Sequence, residues 1–223
     1  MDRSATAVAF DAIDTWVFDL DNTLYSPDVR LFDQISEKMR HYIRREFNVP
    51  MAEADAMRAD YWHKYGTTLA GLMAHHKIDP WHFLNDVHDI DFSVLSAAPD
   101  LASAIEALPG RKLIYTNGDK PYARRVLEAR GLGHVFEELY GIEDAAFRPK
   151  PEKAAFDMVF ASAGLTPTRA TMFEDDSRNL TVPHALGMRT VLVHTEVADA
   201  SHIHHKTADL TQFLVQIASS ELS

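Results

Sequence analysis

Five short runs of β-forming residues punctuate the chain at positions 15–18, 112–115, 138–141, 170–173 and 190–193, the third the weakest. None alternates strictly between apolar and polar side chains. A strand with one solvated face carries that alternation, whereas a strand covered on both faces does not, so these runs predict a parallel sheet buried between helices. Helical patterns separate them. Asp100 is placed to cap an apolar pattern that runs to Leu108 and stops at Pro109-Gly110, and Pro121 sits in the first turn of a segment ending near Gly131. Pro151 is read as opening a third helix, through Ala163, with Gly164 after it. Strand–helix alternation of this kind gives the α/β class, with a Rossmann-like doubly wound parallel sheet as its core.

Residues 28–95 break the rhythm. They hold helical stretches at 32–47, 52–65, 67–76 and 80–87 and no convincing strand. The expected organisation is therefore a core made of residues 1–27 and 96–223, with a helical cap of residues 28–95 inserted after the first strand. A chain of 223 residues is long enough for one core and such an insertion.

Ligands of open parallel sheets bind outside the carboxyl ends of the strands. There the chain places Asp19-Leu20-Asp21-Asn22-Thr23, then Thr116-Asn117-Gly118-Asp119, then Glu174-Asp175-Asp176-Ser177, with Lys150 after the weak third strand. Carboxylates gathered at one edge repel one another and call for a cation. Oxygen donors without His or Cys select a hard ion, and Mg²⁺, which keeps room for waters and a substrate phosphate, is the expected one. The cluster points to phosphoryl chemistry.

Phe18-Asp19-Leu20-Asp21-Asn22-Thr23-Leu24-Tyr25 resembles the first motif of the haloacid dehalogenase superfamily. Thr116-Asn117-Gly118, Lys150-Pro151 and Phe173-Glu174-Asp175-Asp176-Ser177 resemble its later motifs in the same order, and the insertion sits where the superfamily carries its type C1 cap. Within it, Asp21-Asn22-Thr23-Leu24-Tyr25 and Val87-His88-Asp89-Ile90-Asp91 look most like the pyrimidine 5′-nucleotidase branch. The resemblance implies that Asp19 is the nucleophile, forming an aspartyl phosphate. Asp21 would protonate the leaving alkoxide and then deprotonate the hydrolytic water. Thr116, Asn117 and Gly118 would hold phosphoryl oxygens, and Lys150 would offset charge on Asp19 and on the transferring group. Asp176, with Asp175 close by, would anchor Mg²⁺ together with the Asp19 carboxylate and the Asp21 carbonyl.

The implied activity is that of a Mg²⁺-dependent phosphomonoesterase acting on a small phosphorylated metabolite, with a pyrimidine nucleoside 5′-monophosphate as the expected substrate. A sugar phosphate or phosphoglycolate phosphatase is the alternative, because the core motifs do not set the leaving group. A 2-haloacid dehalogenase is disfavoured by Asp21, since a halide leaves without a proton. A non-catalytic ligand-binding member is disfavoured because Asp19, Asp21, Thr116, Lys150 and Asp176 are all present. Arg148 and Lys153 are the rivals of Lys150 for the lysine role.

Composition narrows the partners. With 22 basic and 33 acidic residues the formal charge is −11, which disfavours a nucleic-acid polymer. There is no cysteine for a disulfide, a thiolate or a Cys-based zinc site. No apolar stretch is long enough for a membrane span, and the patch near the start is too short for a secretory signal, so a cytoplasmic protein is expected. Oligomeric state is left open between monomer and homodimer. Ser201-His202-Ile203-His204-His205 reads as a solvated loop, Asp89 and Asp91 as hinge caps, the insertion's methionines and most of its aromatic residues as packing, and 218–223 as a frayed end.

Overall fold

The computed structural model describes residues 10–193 and 198–218. Six strands, β1 (Thr15–Phe18), β2 (Arg111–Tyr115), β3 (Glu138–Tyr140), β4 (Ala170–Glu174), β5 (Arg189–Val193) and β6 (His205–Thr207), pair in the order β3-β2-β1-β4-β5-β6. Every pairing is parallel. β1 and β4 are buried along their whole length, which is why neither run alternates. Trp16 and Phe18 point into one apolar layer and Val17 into the other. Phe18 stacks on Phe173 of the neighbouring strand, ring centroids 4.5 Å apart and 8° from parallel.

The register aligns the strand ends. Phe18 lies opposite Phe173 on one side and Ile114 on the other, so Asp19 emerges level with Glu174 and one residue short of Thr116. A hydrogen bond of 2.9 Å from the Asp19 amide to the Phe173 carbonyl fixes that level. Strand order reverses about β1, the place where doubly wound sheets open a crevice.

The helices α1 (Leu31–Phe47), α2 (Met51–Tyr65), α3 (Thr68–His76) and α4 (Pro80–Val87) lie between β1 and β2 and form the helical cap. Thr67 caps α3 by accepting from the Ala70 amide, and Asp79 caps α4 by accepting from the Trp81 amide, with Pro80 in its first turn. Gly71 allows α2 and α3 to touch: a Cβ there would stand 2.3 Å from the Tyr61 ring. Met39, Met57 and Met73 pack against the buried core. The remaining helices are α5 (Pro99–Glu106), α6 (Lys120–Ala129), α7 (Lys153–Ser162), α8 (Thr181–Ala185) and α9 (Leu210–Ala218).

Three local expectations need correction. α5 begins at Pro99 with Ala98 as its N-cap, so Asp100 lies inside the first turn, because proline takes the first helical position. Pro151 does not open α7; its peptide bond to Lys150 is cis, the Glu152 amide bonds the Pro149 carbonyl at 2.9 Å in a turn, and the helix starts at Lys153. The histidine run is not wholly a solvated loop. His205–Thr207 pairs with β5, and the buried Thr190 hydroxyl donates to the His202 carbonyl at 2.8 Å and accepts from the His204 amide at 3.1 Å. A three-residue edge strand held by one threonine leaves no apolar run to read. Residues 1–9 of the apolar start and 219–223 of the polar end lie outside the described residues, and no described helix is long and apolar enough to cross a membrane.

Candidate active site

Lys150 is the pivot. Its side chain is 1% exposed, and its ammonium donates to Asp19 Oδ1 at 2.6 Å, to Glu174 Oε2 at 2.6 Å and to the Tyr115 carbonyl at 3.0 Å. These three acceptors match its three donors. Burial alone would lower the lysine pKa, but the charges of Asp19 and Glu174 and their hydrogen bonds raise it, so the ammonium form is held. Arg148 and Lys153, the rival cations, lie on the surface, paired with Glu152 and Asp157.

Two threonines and an asparagine set the surrounding loops. The Thr23 hydroxyl donates to Asp19 Oδ2 at 3.0 Å, and buried Thr116 accepts from the Gly118 amide at 3.0 Å. Asn117 accepts from the Lys150 amide at 2.8 Å and donates to its carbonyl at 3.2 Å, so its side chain clamps the lysine loop. Gly118 is needed where it stands, since a Cβ would come within 2.8 Å of the Tyr122 ring.

Asp19, Glu174 and Asp175 each offer an oxygen, all within 4.8 Å of one another. Burial raises the pKa of Glu174 and of Asp175, and the neighbouring carboxylates raise both further. Asp21 is also raised, first by burial and then by Asp19, although two phenols partly stabilise its charge. Asp176, also expected among the metal ligands, follows this group in the chain and lines the same cavity as its members. It caps the short 3-10 turn that follows by accepting from the Arg178 amide at 3.0 Å, and its carboxylate is taken up by the Arg178 guanidinium at 2.6 Å. Strand β4 runs through Glu174, one residue beyond the expected end, and this carries Glu174 and Asp175 inward.

The motif alone assigns Glu174 no role; the parallel pairing of β1 with β4 is the signal that sets it beside Asp19. Tyr25, Tyr122 and His88 were missed as neighbours of the acids: Tyr25 donates to Asp21 Oδ1 at 2.6 Å and Tyr122 to the same oxygen. Asp89 and Asp91 stay outside the site, Asp89 against Lys38 at 3.4 Å and Asp91 accepting from Ser93.

A cavity of about 500 Å³ opens over the cluster. Its strand end is lined by Asp19, Asp21, Thr116, Asn117, Gly118, Glu174, Asp175 and Asp176. Its far end is apolar, lined by Phe32, Ile35, Met39, Trp62, Leu69, Phe83, Leu84 and Val87, with the Arg58 guanidinium bonded to Asp55 at 3.1 Å.

The family model for haloacid dehalogenase-like hydrolases matches residues 13–187. The chain belongs to this family. A curated relative, phosphate metabolism protein 8 of Saccharomyces cerevisiae, is 24% identical over 191 residues, covering 78% of this chain and 60% of that one. The chain thus spans three fifths of the relative's length. Among solved structures, the phosphatase of this family from Thermococcus onnurineus superposes with a TM-score of 0.64 at 19% identity, covering 93% of this chain and 99% of that one. The hydrolase YfnB of Bacillus subtilis bound to magnesium has a TM-score of 0.58 at 15% identity, covering 92% and 98%. L-2-haloacid dehalogenase of Xanthobacter autotrophicus has a TM-score of 0.51 at 16% identity, covering 83% and 79%. At such identities these likenesses concern the fold, which phosphatases and dehalogenases share.

Proposed function

We propose that the chain is a phosphomonoesterase in which Asp19 attacks phosphorus and carries the phosphoryl group, with residues 28–95 as the cap over a core of residues 1–27 and 96–223. The observation that carries this reading is the second carboxylate: Asp21 lines the same cavity as Asp19, with its pKa raised by burial and by Asp19. One carboxylate beside an ammonium and another disposed to keep a proton are what ester cleavage requires. Halide displacement needs only the first. Lys150 would offset charge on Asp19 as the new bond forms, and the Thr116 hydroxyl and the Asn117 amide would hold phosphoryl oxygens, with the Gly118 amide bonded back to Thr116 to set the loop.

The donor set fits Mg²⁺: the oxygens are hard and anionic, and three carboxylates face one ammonium. Asp19, Asp175 and Asp176 would hold the ion with the Asp21 carbonyl, while Glu174 is tied to Lys150. When bound, the ion supplies positive charge that relieves the repulsion within the cluster and neutralises phosphoryl oxygens.

The substrate we infer is a small phosphorylated metabolite whose leaving group is largely apolar or aromatic, a nucleoside 5′-monophosphate with a pyrimidine base being the preferred case. Phosphoglycolate would bring a carboxylate to a wall of Phe32, Ile35, Trp62 and Phe83, where the lining guanidinium of Arg58 is already bonded to Asp55. Phosphate release from UMP, CMP, AMP, ribose 5-phosphate and phosphoglycolate with added Mg²⁺ tests this. Preference for the pyrimidine nucleotides is the expected result, and preference for phosphoglycolate would overturn the substrate reading. Activity lost on chelation and regained with Mg²⁺ is expected; full turnover by Asp19→Asn would overturn the mechanism.

A further inference from the structure

The return from the cap to the sheet, residues 88–92, is laid along one face of α6. Three residues spaced three apart hold it there: Asp119, Tyr122 and Arg125. Asp119 caps the helix by accepting from the Tyr122 amide at 2.7 Å, and its other oxygen meets His88 Nδ1 at 2.9 Å. The His88 ring lies on the Tyr122 ring, centroids 4.2 Å apart and 18° from parallel. Arg125 donates to the His88 carbonyl at 3.2 Å and sits over the Phe92 ring at 4.2 Å.

The far end of this arrangement reaches the acid. Tyr122 runs from beneath His88 to Asp21 Oδ1, which also accepts from Tyr25 at 2.6 Å. Both phenols are almost completely buried, at 1% and 2% exposure, and neither lines the cavity that Asp21 and His88 line. They stand behind the carboxylate, out of reach of anything bound in front of it. Two donors on one oxygen leave a carboxylate little freedom to turn, which fixes how Asp21 stands in the cavity it lines.

We propose that Tyr122 and Tyr25 are positioning residues that aim Asp21 at the leaving-group oxygen, and that His88, held by Asp119, ties this aim to the seating of the cap. The inference rests on the reading of Asp21 as the group that serves the leaving group. The tyrosines act through Asp21 and touch no substrate. A cap displaced from α6 would withdraw His88 from the Tyr122 ring and loosen the carboxylate, so proton delivery would be aligned only with the cap in place.

The test is the dependence of kcat/KM on the leaving group, measured with Mg²⁺ over p-nitrophenyl, phenyl and 4-methoxyphenyl phosphate. p-Nitrophenolate departs with little help from a proton, whereas the other two phenolates need more, so a misaimed acid penalises the series unequally. Tyr122→Phe and Tyr25→Phe are each expected to lose about tenfold more on 4-methoxyphenyl than on p-nitrophenyl phosphate. Asp21→Asn is expected to show a still steeper dependence, and His88→Asn one in the same direction. Phenylalanine keeps the rings and their packing, and thermal unfolding of each variant separates misfolding from misaiming. If Asp21→Asn is steep while both tyrosine variants lose equally on all three esters, the positioning role is overturned and the reading of Asp21 stands. A wild-type slope in Asp21→Asn overturns that reading and the positioning role with it. A wild-type slope in His88→Asn, with the tyrosine variants steep, overturns the link to the cap.

Discussion

At the strand end of the cavity, Lys150 spends its three donors on Asp19, Glu174 and a carbonyl, and is 1% exposed; at the helical end, Trp62 stands 45% exposed with the Arg178 guanidinium 4.1 Å from its ring centroid. The first region is fixed by charge in a dry place, where removing one partner strands another. The second is fixed by contact area, where each side chain contributes a little and exchange is tolerated. Under the proposed function, the difference assigns the chemistry to one end and the choice of leaving group to the other. Changes at the strand end should abolish turnover of every ester, while changes at the helical end should redistribute it among esters.

The largest expected effect is that of Asp19→Asn, which should reduce phosphate release from any phosphomonoester by at least about 10³-fold, since it removes the group proposed to attack phosphorus. A loss confined to one ester would break the comparison. Lys150→Met comes next. It leaves Asp19 and Glu174 buried without their ammonium, at a cost of about 3–5 kcal/mol read by chemical denaturation, besides lost activity. Mg²⁺ should restore part of that stability by supplying charge at the same place.

The helical end should respond selectively. Phe32→Ala and Trp62→Ala are expected to lower kcat/KM for UMP by about 5- to 150-fold, the range given by loss of one base-stacking contact of about 1–3 kcal/mol. Ribose 5-phosphate, which is the same ester without a base, should be little affected. Equal losses on both would mean that these aromatic residues hold the cap together and do not recognise the base.

The smallest effect concerns pH. Asp175 is raised from its ordinary value, first by burial and then by Glu174 and Asp19, so the folded protein binds this proton more tightly than the unfolded chain does. From the ordinary aspartate pKa upward, stability without metal therefore falls as pH rises towards the folded value. Mg²⁺ competes with that proton, so the gain in Tm on adding Mg²⁺ should grow as pH is raised from weakly acidic to weakly alkaline. A gain independent of pH would remove Asp175 from the metal site.

What was legible beforehand divides along the same line. β1 and β4 announced themselves because strands buried on both faces must be continuous apolar runs, and the polar residues ending them could only lie at one sheet edge. Lys150 was legible from its motif. How three consecutive acids divide their partners was not. That depends on β4 continuing through Glu174, which sets it against Lys150, and on Arg178 pairing with Asp176, and a string of adjacent carboxylates carries neither fact. β6 was hidden because its three residues owe their pairing to Thr190 and β5 and have no pattern of their own. The tyrosines behind Asp21 were hidden for another reason: Tyr25 and Tyr122 are far apart in sequence, and only the fold directs both hydroxyls at one oxygen.

The central claim is that Asp19 carries the phosphoryl group. Acid quenching of the protein during turnover of UMP with Mg²⁺, followed by peptide mass mapping, tests it most directly. The expected result is an acyl phosphate on the peptide containing Asp19 that survives a cold acid quench, is cleaved by hydroxylamine and by base, and is absent from Asp19→Asn; with p-nitrophenyl phosphate, whose leaving group needs little protonation, it should be enriched in Asp21→Asn, where its hydrolysis should be slowed. Steady turnover with no phosphoryl group on that peptide in either the wild type or Asp21→Asn would contradict the account.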